Sequence, residues 1–444
     1  MPKVSLITLG CAKNLVDSEV MLGTLAREGY EFTDKINKAD ILIINTCGFI
    51  QPAREEAHIT LDQAIAWKKD RSGRRIAVTG CYVERFGDFL KIKYPQVDIW
   101  TGVRDFDRIG KLIENKKPVF RPETFLLNHR TPRIISTGAN WAYVKISEGC
   151  SHGCSFCSIP LIKGPYQSRS INSIVEEVRD MSSLGIKEIN LISQDTTYFG
   201  RDRKRGNGLV KLLEKLLLIK KIKWIRLLYG YPEELREDLL ELLKEEKMCR
   251  YLDLPFQHAS EAVVKKMGRS IGGKRALKLI EQIRRLVPGV VIRTSLIVGF
   301  PGEGQKEFEE LKNFVRQAEF QHLGVFTYSR EPGTRAEKMG DPVLPAEKEK
   351  RRQEIMLIQK DISRKFYRSF QGETLEVLSE GVHSQKPKLL VARAKFQAPE
   401  VDGLVLVENW KKYFSRKLPD FMKVKITRSL TYDLVGKVAD DQAG

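Results

Sequence analysis

The run Glu148-Gly149-Cys150-Ser151-His152-Gly153-Cys154-Ser155-Phe156-Cys157 sets three cysteines in the pattern Cys-x3-Cys-x2-Cys. Thiolates this close let one loop wrap an inorganic centre, and iron–sulfur clusters take thiolate ligands. With three cysteines, a cubane would keep one iron free for a ligand or substrate. The spacing makes His152 hard to bring to the same centre, so it is expected to be solvated rather than a fourth ligand.

The residues that follow read as a barrel of βα units. Ile174, Val178 and Met181 share a helix face, Gly185 can end that helix, and Ile186 to Ser193 alternates into a strand. That strand ends in Gln194-Asp195-Thr196-Thr197. Later strand ends carry Tyr229-Gly230-Tyr231-Pro232, Leu254-Pro255-Phe256-Gln257-His258, Val298-Gly299-Phe300-Pro301-Gly302-Glu303 and Thr327-Tyr328-Ser329-Arg330. Each set alone is ordinary turn chemistry. Repeated after every strand, they mark the edge where a TIM-like barrel builds its site. Phe156, Gln194, Asp195, Gln257, His258 and Gly299 are the candidate cofactor-binding residues.

Upstream, three short apolar runs each stop at a cysteine. Val4 to Leu9 ends at Gly10-Cys11, Ala39 to Ile44 at Asn45-Thr46-Cys47-Gly48, and Arg75 to Val78 at Thr79-Gly80-Cys81. Continuous β-branched runs separated by helical patterns read as parallel strands buried on both faces. Val16, Val20 and Leu25 mark one intervening helix, with Gly29 as its stop. All strand carboxyl ends of such a sheet lie on one edge, so Cys11, Cys47 and Cys81 should converge there. Any one of them is a plausible core cysteine, but three in the same position favour a shared centre. A structural zinc wants four ligands, and three thiolates better suit a cluster with an open iron. The seventh cysteine, Cys249, fits no pattern and reads as a partly buried thiol.

Ala346 to Arg368 reads as a connecting amphipathic helix with Ile355, Ile358, Ile362 and Phe366 on one stripe. Short alternating runs follow at Thr374 to Leu378, Leu389 to Phe396, Leu404 to Val407 and Met422 to Thr427, which suggests a small β-barrel. Residues 369–444 hold 12 Lys+Arg against 10 Asp+Glu, a net charge of +2 out of +19 for the whole chain. The turn Ala398-Pro399-Glu400-Val401-Asp402-Gly403 is expected to offer a surface suited to a protein loop.

At 444 residues, 42% hydrophobic and 30% charged, the chain can bury a sizeable core and suggests about three domains. The boundaries read as 1–117, 136–368 and 369–437. A charge of +19 permits RNA or a ribosome as partner without identifying one. No apolar run approaches the ~18 residues of a membrane span. Seven cysteines, an odd number, and a start without an export signal argue against disulfides, so a cytoplasmic protein is expected.

Taken together, the three strand-end cysteines, the Cys-x3-Cys-x2-Cys loop and the terminal β-barrel resemble the methylthiotransferase family of radical S-adenosylmethionine enzymes across nearly the whole chain. The resemblance implies an α/β fold: an N-terminal parallel-sheet α/β domain, a partial TIM-like (β/α) barrel and a small OB-like β-barrel, the TRAM module. It implies two [4Fe–4S] clusters. One, on Cys150, Cys154 and Cys157, would chelate S-adenosylmethionine and drive its cleavage to a carbon radical. The other, auxiliary, on Cys11, Cys47 and Cys81, would present sulfur.

Two branches of the family compete, one acting on an adenosine of tRNA. The other, the RimO type, acts on the β-carbon of an aspartate in small-subunit ribosomal protein twelve. The stretches Cys11-Ala12-Lys13-Asn14-Leu15-Val16-Asp17-Ser18-Glu19, Gln194 to Thr197, Gln257-His258, Met267-Gly268-Arg269 and Ala398 to Gly403 are similar to the second. Ala12 departs from the proline expected there, at a position that is no ligand. Implied partners are the ribosomal protein or ribosome, a reductant protein and a sulfur donor; no membrane and no stable DNA partner is expected. A non-catalytic iron–sulfur sensor is the third possibility, disfavoured because a sensor needs no second substrate pocket.

Overall fold

The computed structural model describes residues 2–115, 124–203, 208–414 and 417–439, so the expected boundary at 117 lies outside the described residues. Strands β1 (Lys3–Thr8), β2 (Glu31–Phe32), β3 (Ile41–Thr46), β4 (Arg75–Gly80) and β5 (Ile99–Trp100) form a parallel sheet in the order β2-β1-β3-β4-β5. Helices α1 (Ala12–Arg27), α2 (Gln51–Lys69), α3 (Cys81–Lys93) and α4 (Ile109–Asn115) accompany it. Strand β3 shows why it is buried on both sides. Ile41 and Ile43 enter one hydrophobic core and Leu42 and Ile44 the other, as a period of two requires. Helix α1 stops where its glycine predicts, with Gly29 at φ 88°.

The second unit runs through β6 (Trp141–Lys145), β7 (Ser147–Glu148), α5 (Ile159–Lys163), β8 (Gln167–Ser168), α6 (Ile171–Ser183), β9 (Glu188–Ile192) and α7 (Gly208–Leu217). It continues with β10 (Trp224–Leu227), α8 (Glu237–Leu242), β11 (Met248–Asp253), α9 (Glu261–Lys266), α10 (Gly273–Leu286), β12 (Val291–Val298), α11 (Gln305–Ala318) and β13 (His322–Thr327). Six strands pair in parallel in the order β6-β9-β10-β11-β12-β13. Their outward side chains, such as Val144, Leu191, Leu227 and Ile292, pack with Ile174 and Val178 of α6 and Leu311 of α11. The inward ones, such as Tyr143, Ile192 and Tyr251, line the lumen and are buried there. Beside β6 that lumen is covered by α1, whose Val16, Val20 and Met21 share a core with Trp141 and Tyr143.

Helix α12 (Pro345–Arg368) leads into a closed barrel of β14 (Thr374–Val382), β15 (Leu390–Ala394), β16 (Val405–Glu408), β17 (Phe421–Ser429) and β18 (Leu434–Val438), with the short α13 (Trp410–Tyr413) before β17. The fifth strand, β18, is absent from the alternating runs read above.

Three expectations change here. Strand β9 does not alternate between core and solvent, because all five residues are buried. Cys249 is fully buried rather than partly so. The turn Ala398–Gly403 is surface only in part: Glu400 and Val401 are exposed, while Ala398 and Pro399 are buried and the turn plugs the barrel from the end opposite the cysteine loop. Asp402 accepts from Tyr251 Oη at 2.7 Å and Arg293 Nη1 at 3.0 Å, and Tyr143 Oη donates to Glu400 at 2.8 Å. The Asp402 side chain is buried and needs such partners, and the lumen walls supply them.

The same plug explains the polar face of β9. Glu188, fully buried, accepts from Arg226 Nε at 3.0 Å and from Arg393 Nη2 of β15 at 2.6 Å. Burial alone would raise its pKa, but the two guanidinium groups outweigh that and hold it below the usual carboxylate range. Removing one partner of a buried ion pair costs about 3–5 kcal/mol. Glu188→Gln is therefore expected to lower the thermal midpoint clearly at neutral pH. A depressed carboxylate pKa lends stability that is complete above about pH 4.3 and is lost as the pH falls through the native pKa. The gap between wild type and variant should close in acid. Melting curves over a pH series check this, and superimposable curves at neutral pH would refute it.

Candidate active site between two cysteine triads

Backbone contacts rather than thiols hold the loop between β7 and α5. Cys150 N donates to Gly164 O at 3.1 Å, and Ser155 N to Met267 O at 2.8 Å. Gly149 sits at φ 71°, where a Cβ would lie 2.1 Å from Pro165 O, so the turn admits only glycine. Gly268 also has φ 71°, and a Cβ there would come within 2.5 Å of Gly153 O. Met267-Gly268-Arg269 is thus the floor on which the cysteine loop rests. Phe156 anchors the loop on the same floor, packed with Val263, Met267 and Phe300.

Arg269 points at Cys154 Sγ from 3.7 Å and donates to Pro255 O at 2.8 Å. Its guanidinium lies 3.8 Å from the centre of the Tyr231 ring, and Tyr231 stacks on His152 at 3.8 Å and 8°. His152 is accordingly held by side-chain contacts and only partly exposed, rather than free in solvent. Its Nε2 lies 2.6 Å from Asp195 Oδ2, while Asp195 Oδ1 accepts from Thr197 N at 2.8 Å. A column of Arg269, Tyr231 and His152 therefore lines one side of the thiols, with Asp195 fixing its end.

Cys11, Cys47 and Cys81 leave the carboxyl edge of the first sheet as expected: Cys11 caps α1, Cys47 follows β3 and Cys81 opens α3. Asn14 stitches the three loops together. Its Nδ2 donates to Leu9 O and Thr46 O, both at 3.1 Å, and Cys81 Sγ donates to its Oδ1 at 3.5 Å. Gly10, at φ 93°, lets Cys47 come close, since a Cβ there would lie 2.6 Å from Cys47 Cβ.

Burial pushes the thiols up, against backbone N–H donors at Cys150 and Cys157 and the Lys163 charge at Cys81: Cys47 and Cys150 to about 11, Cys157 to about 12 and Cys81 higher still. Within each triad, one thiolate raises the pKa of the next. Such thiols give up their protons when a cationic iron centre replaces them. Among the described residues, no group of three His, Cys, Asp or Glu side chains meets closely enough to hold one metal ion. Thiols that share a neighbourhood without sharing a point fit a cubane, where each ligates a different iron. The donor set thus fits iron–sulfur clusters.

The two triads face a common element. Cys157 precedes α5, and Ile162 of α5 packs against Cys81. Asp17 of α1 pairs with Lys145 of β6 and, at 2.9 Å, with Lys163 of α5; Lys145 also pairs with Glu148, two residues before Cys150. Burial would lower the pKa of Lys163, but Asp17 and Glu148 hold it well above its ordinary value. Glu19 accepts from Arg133 Nη2 at 2.6 Å. Farther out, Arg54 of α2 and Arg85 of α3 both reach Glu331 at 2.6 Å. The stretch Asn14 to Glu19 is therefore the joint between sheet and barrel.

Of the other candidates, Gln194 stands half-buried at the end of β9. Gln257 has φ 69° and bonds Ser295 and Ile297 through its backbone. His258 is fully buried with both ring nitrogens committed: Nε2 lies 3.0 Å from Glu303, and Nδ1 accepts from Ser260 N at 3.0 Å. It lends the site position rather than a free donor. Gly299, at φ 72°, leaves room for Lys348, whose Cγ would stand 2.4 Å from a Cβ. Sequence reasoning missed Asn14, Asp17, Tyr231 and Arg269 as site residues, although the stretches quoted for the resemblance contain all but Tyr231, which stands in a quoted strand end.

A three-thiol loop at the carboxyl mouth of an open parallel barrel defines the radical S-adenosylmethionine class, and the model of the radical SAM superfamily matches residues 144–315. Models described as uncharacterized protein family UPF0004 and TRAM domain match residues 3–102 and 372–439. The ribosomal protein uS12 methylthiotransferase RimO of Aquifex aeolicus is 44% identical over 98% of this chain and 97% of its own length. That of Acetivibrio thermocellus is 40% identical over 99% of both chains. The radical S-adenosylmethionine methyltransferase TsrM of Kitasatospora setae shares the fold at TM-score 0.55 and 13% identity, covering 76% of this chain and 74% of that one. The chain belongs to the family of ribosomal protein uS12 methylthiotransferases of the RimO type. It is a radical SAM enzyme that uses S-adenosylmethionine and [4Fe–4S] clusters. No helix among the described residues is long and apolar enough to cross a membrane.

Proposed function

We propose that this enzyme adds a methylthio group to the β-carbon of an aspartate in ribosomal protein uS12, with Cys150, Cys154 and Cys157 holding one [4Fe–4S] cluster and Cys11, Cys47 and Cys81 the other. When bound, the clusters and S-adenosylmethionine supply hydrogen abstraction and sulfur, while the protein supplies position and dryness. The observation that carries this is the pair of triads flanking α5. A carbon radical must meet sulfur before anything else, which is a proximity problem. Asp17, Lys145, Lys163 and Glu148 fix that proximity, and Arg269 lays positive charge beside Cys154. Phe156, Gln194, Asp195, Gln257, His258 and Gly299 shape the mouth around the S-adenosylmethionine cluster.

Electrons and sulfur come from a reductant protein and a sulfur donor outside this chain, in the cytoplasm. Division into 1–117, 136–368 and 369–437 matches one task to each unit: sulfur delivery, radical generation and substrate handling. Full-length similarity to uS12-modifying enzymes supports protein over tRNA as substrate, and the net charge of only +2 on residues 369–444 agrees. The test offers anaerobically reconstituted enzyme uS12 and bulk tRNA in one vessel. Methylthio mass on one aspartate peptide, with adenosines unchanged, is expected. The reverse would transfer the protein to the tRNA branch.

A further inference from the structure

We infer that Lys13 binds the side-chain carboxylate of the substrate aspartate, an inference that rests on the uS12 reading above. Lys13 stands in the first turn of α1, two residues after Cys11, and is 7% exposed. Its Nζ lies 3.2 Å from the centre of the Tyr229 ring, at the carboxyl end of β10. Lys13 thus reaches from the auxiliary triad into the barrel mouth.

Its partners are what set it apart. The other buried lysines near the site are ion-paired: Lys145 and Lys163 with Asp17 and Glu148, and Lys348 with Asp341. Among the described residues, no carboxylate lies within 4.0 Å of Lys13 Nζ. The titratable groups that act on it are Tyr229, which also shares a hydrogen bond with it, then the Cys11 thiol and Asp253. Asp253 is already engaged, accepting from Tyr229 N at 3.1 Å and facing Arg293 at 3.7 Å. Tyr229 itself is held at φ 61°, an uncommon backbone state for a bulky residue.

A buried ammonium group without a paired carboxylate is costly, and a ring face returns only about 0.5–2 kcal/mol. An arriving carboxylate would complete the site. The chemistry says which carboxylate. In aspartate the carboxylate is bonded directly to the β-carbon, so a charge held beside Cys11 places the reacting carbon between the two triads. An adenosine has no such group to offer. Lys13 would then be a specificity-determining residue for the acceptor side chain.

The experiment is a two-by-two binding cycle on anaerobically reconstituted full-length enzyme. One axis is Lys13→Met. The other is uS12 whose acceptor aspartate, located by mass spectrometry, is replaced by asparagine. Wild-type enzyme is expected to prefer the aspartate protein by about tenfold or more, as close charge pairs at interfaces do. Lys13→Met should reduce the preference to less than about twofold, and Lys13→Arg should restore part of it. Iron content is read alongside. A Lys13→Met enzyme that keeps the wild-type preference overturns the inference. Loss of auxiliary iron with the preference intact does so too, making Lys13 a counter-charge for the cluster. If wild-type enzyme binds both uS12 forms equally, the inference falls while the uS12 reading stands; failure of mass spectrometry to find any modified aspartate is what overturns that reading.

Discussion

Replacing Cys150, Cys154 and Cys157 together with alanine is expected to abolish cleavage of S-adenosylmethionine while leaving about half of the iron and sulfide, as two independent thiolate-held cubanes require. The loop should survive the change. It is pinned by Cys150 N to Gly164 O, Ser155 N to Met267 O and Ser155 Oγ to Lys266 O, none of which uses a thiol. The other triad hangs from three separate strand ends cross-linked by Asn14 and Asn45, so it should load independently. Iron and sulfide analysis of the anaerobically reconstituted variant, with an assay for 5′-deoxyadenosine, checks both parts. Full iron content in the variant would show that this loop holds no cluster.

Much of this was legible in sequence because the signals were local. Ile41 to Ile44 could only be a strand buried on both faces, and a cysteine after each of three such strands had one edge to occupy. The stretch Asn14 to Glu19 was quotable as a motif, but its physics was not. Asn14 binds carbonyls of two strand ends, Asp17 binds lysines 128 and 146 positions away, and Glu19 binds Arg133. Pairings at that separation leave no periodic trace.

The errors share this cause. The alternation of β9 reads as a core face and a solvent face, yet Glu188 is buried because Arg393, 205 positions on, comes to meet it. His152 reads as solvated because Asp195 and Tyr231 lie beyond the range of loop reasoning. The turn Ala398–Gly403 reads wholly as surface, as Glu400 and Val401 are, because Asp402 looks solvated until the barrel floor offers Tyr251 and Arg293. Strand β18, Leu434–Val438, was missed since Gly436 and Lys437 interrupt a run of only five residues. Gly436 is needed there, as a Cβ would stand 2.5 Å from Val424 Cγ1 across the small barrel.

The second large effect concerns the other triad. Changing Cys11, Cys47 and Cys81 to alanine is expected to eliminate methylthio transfer while cleavage of S-adenosylmethionine persists. The radical-generating loop draws its support from Met267, Gly164 and the Arg269–Tyr231–His152 column, none of it in the N-terminal sheet. What the variant lacks is sulfur at the barrel mouth. The decisive measurement places this variant in a strain deleted for the gene and compares it with wild-type complementation, using mass spectrometry of ribosomal proteins and of tRNA nucleosides. Wild-type complementation should restore the methylthio mass on a single uS12 aspartate, the triad variant should not, and methylthiolated adenosines should be the same in every strain. Restoration by the triad variant at the wild-type level, or a change confined to tRNA, would contradict the account.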